Sequence, residues 1–79
     1  MFVRSYAMDD ILYLYTIRKT DGTYEEFSHF RRETGEPIFV IQSVKSKCYL
    51  SESDAYKDLE NILRVEPTLP LEISMWERV

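Results

Sequence analysis

The chain has one cysteine, one histidine, two glycines and three prolines in 79 residues. Each scarcity excludes something. Cys48 alone cannot form an internal disulfide, so no covalent staple holds the fold and a reducing, cytoplasmic setting is the expectation. His29 alone has no partner at the spacing of a metal site or a nucleophile–base pair. Cys-x-x-Cys pairs, Gly-rich phosphate loops and Gly-x-Ser-x-Gly elbows do not occur. The expectation is therefore a protein that is not an enzyme and that uses no cofactor and no metal. No stretch approaches the roughly 18 apolar residues of a membrane helix, and residues 1–10 lack the basic flank and apolar core of a signal peptide. With 44% hydrophobic and 14% aromatic residues, the composition is that of a folded domain.

Among what is present, Ser51–Arg64 carries the most complete helix signals. Ser51 and Asp54 form a Ser-x-x-Asp variant of the capping box, and Ala55, Leu59, Ile62 and Leu63 recur as one apolar stripe at helical period. Arg64 suits the negative end of the helix dipole, and Pro67 stops the helix from running on. Ile11–Lys19 is apolar at nearly every position and rich in Tyr and β-branched types, which predicts a strand in preference to a helix ringed by apolar groups. Thr20–Thr23 contains Asp-Gly and reads as a turn.

The next segment decides the topology. As a strand, Tyr24–Arg32 has no consistently apolar side. As a helix it gains a second capping box at Thr23 and Glu26, acids in its first turn, Arg31 and Arg32 near its end, and Gly35 as a stop. The termini favour a helix over 24–34, although Glu33–Pro37 also fits a hairpin turn. Pro37–Val44 reads as a buried strand, Cys48–Leu50 as a short returning one, and Leu71–Trp76 as a last strand. That strand sends Leu71, Ile73 and Met75 to one face and Trp76 to the other.

The expected fold is a single α+β domain over 1–79, with a loose arm at 1–10 and helices on one face of a small antiparallel sheet. The order β-α-β-β-α-β is similar to that of ferredoxin-like domains. If 24–34 is a strand instead, the chain becomes a β-meander packed on one helix.

The net charge of −4 is unevenly placed, with Lys45 and Lys47 in a segment free of acids and four acids on the helix-like stretch 51–64. An acidic total disfavours nucleic acid, whose affinity comes from displaced counterions. The six tyrosines offer rigid contact area with one polar end each. Three functions are consistent with this inventory. The leading one is a small acidic protein-binding module or inhibitor that occupies a partner's surface. Phage- or mobile-element-encoded proteins, including anti-CRISPR and polymerase-binding inhibitors, often have this size and charge. The others are a nucleic-acid regulator using Arg18, Lys19, Arg31, Arg32, Lys45 and Lys47, and a small-ligand or enzymatic ferredoxin-like domain. For the leading function two surfaces stand out. One is the acidic run Glu52, Asp54, Asp58 and Glu60, suited to a basic groove. The other is the C-terminal strand with Leu71, Ile73 and Trp76, suited to a distinct protein or to a homodimer through edge pairing.

Overall fold

A computed structural model of the protein describes residues 12–78; the expected arm at 1–10 lies outside them. The elements run β1 (Leu12–Lys19), β2 (Glu25–Phe30), β3 (Pro37–Ile41), α1 (Glu52–Val65) and β4 (Leu71–Arg78). All four strands join one antiparallel sheet in the order β3-β2-β1-β4. The first three form a meander, and the chain then crosses by way of α1 to add β4 on the other edge of β1. Among the described residues no helix is long and apolar enough to cross a membrane.

The ferredoxin-like order is not found, because the expected first helix is strand β2. Phe27 and Phe30 are spaced by three, which mimics helical periodicity. The cause is a register shift between Phe27 and His29. A bulge of this kind inserts one residue into the alternation, so two residues three apart reach the same face of the sheet. Phe27 and Phe30 accordingly meet with ring centroids 4.9 Å apart and their planes tilted by 60°, and Phe39 meets Phe27 edge-on at 5.9 Å. Thr23, expected to cap the helix, instead closes the β1–β2 turn. Its amide and hydroxyl both donate to Asp21 Oδ1, at 3.1 and 2.7 Å. These bonds, the hydroxyl first, hold the Asp21 carboxyl below its ordinary range.

The helix at Ser51 forms as the sequence implies. Ser51 is extended and its hydroxyl accepts from the Asp54 amide at 3.1 Å. At the far end the Glu66 amide donates to the Ile62 carbonyl at 2.9 Å. Ala55 and Ile62 are fully buried, and Leu59 packs beside them. Odd-numbered β1 residues face this helix: Ile17 is fully buried, with Tyr15 next to it, and opposite them on β4 lie Ile73 and Met75. The core is thus one layer between α1 and one face of the sheet.

The expected returning strand at Cys48–Leu50 is reduced to a single bridge, yet a consequential one. β1 and β2 are registered at Arg18 and Glu26. Farther along, Tyr49 exchanges both backbone bonds with Tyr15, at 2.9 and 2.8 Å, while the Lys47 amide donates to the Phe27 carbonyl at 2.9 Å. The segment 47–49 therefore satisfies backbone groups of both strands and delivers Tyr49 into the core.

Two outcomes test this architecture. Ile62→Ala should cost about 2 to 5 kcal/mol in chemical unfolding and Ser51→Ala about 1 kcal/mol, a core cavity against a lost cap; equal effects would contradict the burial order. Tyr24 has φ 61° and is exposed. That left-handed backbone costs a bulky L-residue roughly 1 kcal/mol or more and suits Asn. Tyr24→Asn should raise the denaturant midpoint, and a lowered midpoint would mean that the ring contributes more packing than the backbone loses in strain.

Candidate binding face

Strand alternation gives the sheet a second face, away from α1. On it Leu14 lies opposite Trp76, Thr16 opposite Ser74, and Arg18 opposite Glu72 on one side and Glu26 on the other. No helix shelters this face among the described residues, yet Thr16 and Glu26 are each only 3% exposed. Trp76 and the loop after β3 cover them. The indole Nε1 of Trp76 donates to Thr16 Oγ1 at 2.9 Å, and Thr16 Oγ1 donates in turn to Glu26 Oε2 at 3.0 Å. A recess of about 130 Å³ opens beside this chain. Leu14, Thr16, Glu26 and Trp76 line it from the sheet, and Gln42, Ser43, Ser46 and Cys48 from the loop.

Trp76 occupies an intermediate position between core and surface. It is 38% exposed, while its polar edge is tied down. Of the other C-terminal residues singled out in the sequence, Leu71 and Ile73 are half-buried and pack against the helix core. Met75, on the same face as these two, is 60% exposed. Diagonal to it on β1, two residues from its partner Tyr15 and opposite Glu77, Tyr13 is 42% exposed.

The acidic run on α1 divides. Glu52, Asp54 and Glu60 point to solvent. Asp58 is turned toward the sheet, where the Tyr49 hydroxyl donates to its Oδ2 at 2.6 Å and Lys47 Nζ at 3.0 Å. Lys47 also stands 5.1 Å from the Tyr49 ring centroid. Burial alone would push the Asp58 carboxyl up, but the Tyr49 and Lys47 bonds outweigh it and hold the group below its ordinary range. For the same pair, burial first and the Asp58 carboxylate second push the Tyr49 phenol far above its usual range.

The other chemistry-bearing residues are less engaged. His29 is exposed, with Nδ1 3.0 Å from Ser28 Oγ. Cys48 is exposed at the recess, its Sγ 3.9 Å from the Ser46 carbonyl. Among the described residues no three His, Cys, Asp or Glu side chains gather as metal ligands would. Sequence reasoning missed Thr16 and Glu26 altogether. Glu26 reads as a capping acid when its segment reads as a helix, and no local signal marks it for burial. No family model, curated protein or solved structure matches the chain.

The Tyr49–Asp58 bond has a pH signature. Asp58, with its carboxyl depressed on folding, stabilises the fold above about pH 4, and that contribution is lost as pH falls through its folded value. Tyr49, with its phenol raised, stabilises the fold below about pH 10, and that contribution is lost as pH rises further. Tyr49→Phe should therefore cost roughly 1 to 3 kcal/mol near pH 7. The gap from the native chain should narrow at both extremes in urea titrations; a gap independent of pH would show that the bond carries no net stability.

Proposed function

We propose that this protein is a small acidic protein-binding module that acts by occupying the surface of a partner, in the manner of an inhibitor. The observation that carries the reading is the far end of the β1–β4 ribbon. There Tyr13 and Met75 stand exposed on the helix side and Trp76 stands part-exposed on the other. A two-stranded ribbon with apolar groups on both faces cannot be sealed by one helix, and paired exposure of this kind is typical of protein contact sites. The exposed acids Glu52, Asp54 and Glu60 on α1 supply a charge that favours a basic partner and speeds its approach.

The nucleic-acid alternative is weakened by how the cations are used. Arg18 pairs with Glu72, Lys19 with Glu25, Arg31 with Glu36 and Lys47 with Asp58. Four of the six side chains that would meet phosphates are thus already neutralised, and Arg32 and Lys45 alone give a poor counterion-release footprint. The small-ligand reading draws some support from the recess beside Cys48, but about 130 Å³ is well below the ~300 Å³ at which ordinary ligand pockets begin.

The test is affinity capture from the native host with the wild-type chain and with a Tyr13→Ser, Met75→Ser double variant whose fold is verified by circular dichroism. The expected result is a protein held in fixed stoichiometry by the wild type and at least tenfold less by the variant. Equal retention by both, or retention of nucleic acid released by moderate salt, would overturn the reading.

A further inference from the structure

The recess on the sheet face away from α1 is lined by a buried acidic side chain, Glu26. Glu26 is 97% buried by its 3% exposure, and the hydrogen bond that reaches it among the described residues comes from Thr16. Its cross-strand neighbour Arg18 forms its salt bridge with Glu72 instead, Nε to Oε2 at 2.6 Å, and none with Glu26 among the described residues. Those two atoms are not aligned for a hydrogen bond, so that contact is a bare ion pair directed toward β4. The single proton of the Thr16 hydroxyl is committed to Glu26, and its oxygen accepts from Trp76. Among the described residues no second hydrogen bond reaches Glu26, and its carboxyl lines the recess together with an indole, an aliphatic side chain, serine hydroxyls, the Cys48 thiol and the Gln42 carboxamide. A buried carboxylate in such surroundings favours a cation brought in from outside.

We propose that this recess is the anchor site for one lysine side chain of the protein partner. Volume selects the ligand class. About 130 Å³ suits a short alkylammonium chain and is too small to enclose a nucleotide or a sugar. The lining selects the charge and the stem. The carboxylate meets the ammonium, Ser43 and Ser46 offer further oxygens, and Leu14 and Trp76 take the methylenes, the indole also being the best side chain for holding a cation. A protein source fits the surroundings, since Trp76 belongs both to this recess and to the apolar ribbon end. An anchor beside a hydrophobic contact is the usual arrangement of an interface hot spot. The assignment rests on the protein-binding reading and adds the chemistry of the partner's central residue.

Trp76 is the only tryptophan, so its fluorescence and its indole N–H resonance report on the recess directly. The intact protein is titrated with N-acetyl-lysine N-methylamide, with the norleucine analogue as an uncharged control of similar length and with spermidine as a free amine. The expected result is a saturable shift with the lysine probe at millimolar concentration, at least tenfold weaker in Glu26→Gln and absent with norleucine. Should Glu26→Gln fail to fold, alkylation of the single exposed Cys48 in the wild-type chain crowds the recess and is expected to abolish the shift. No saturable shift, a response to norleucine equal to that of lysine, or a response unchanged by both Glu26→Gln and Cys48 alkylation would overturn the proposal. So would spermidine binding a hundredfold tighter than the lysine probe, which would assign the recess to a free amine. Because these probes need no partner, their failure leaves the capture experiment standing, and failure of capture leaves the probe result standing.

Discussion

The structure depends on how Tyr49 joins the sheet to the helix. Its backbone exchanges two bonds with Tyr15 on β1, its ring is 6% exposed in the core, and its hydroxyl donates to Asp58 on α1. One residue thus fixes the register of the connecting segment, fills the layer and orients the helix. The adjacent Lys47 amide bonds Phe27 on β2, so the same segment also secures the other strand. A small domain of 79 residues has little apolar area with which to enforce an interlayer geometry. A hydrogen bond to a charged group, held in a half-buried setting, supplies direction that apolar contacts lack.

Legibility in the sequence follows the range over which each interaction acts. The helix at Ser51–Arg64 was legible because its cap, its stripe and its stop are all local, and β1 and β4 were legible from apolar continuity or alternation; β3 was legible in type, but the buried strand expected to run to Val44 ends at Ile41, and Ile41 and Val44 are exposed. β2 was not, since its bulge converts a period of two into a spacing of three, and its acids look like the first turn of a helix. What places the bulge is pairing with β3, a contact between residues far apart in the chain. Reading β2 as a helix, together with Cys48–Leu50 as a full strand where a single bridge forms, turned a meander into a ferredoxin-like order. The same logic applies to the candidate site. Trp76 stood out by residue type, whereas Glu26 became visible only once β2 was seen to lie beside β1.

Charge is distributed with similar economy. Among the described residues most basic side chains of the sheet region are tied to a nearby acid, whereas the three exposed acids of α1 form no ion pair. Asp58 belongs to the same sequence run but serves the fold, through Tyr49 and Lys47. An acidic stretch read from sequence therefore mixes two roles that only side-chain direction separates. Leu71 and Ile73 make the parallel case on β4, for they face the helix while Trp76, on the same strand, faces away.

The helix-free face raises the last question, which is why it is closed by polar bonds when apolar packing would bury it better. A fully apolar cover would merge Trp76 into the core and leave nothing to contact. A free indole would be an aggregation hazard and would lose rotamer entropy on binding. The bond from Nε1 to Thr16 takes neither course, as it fixes the ring while leaving part of it in solvent. Thr16 passes that constraint on to Glu26, so the orientation of the aromatic surface and the position of the buried carboxylate are set by one hydroxyl. A rigid aromatic next to a charge whose position is already fixed incurs little further ordering cost when a partner arrives. On the proposed binding reading this face would be organised ahead of contact, at the cost to the fold of burying one acidic side chain.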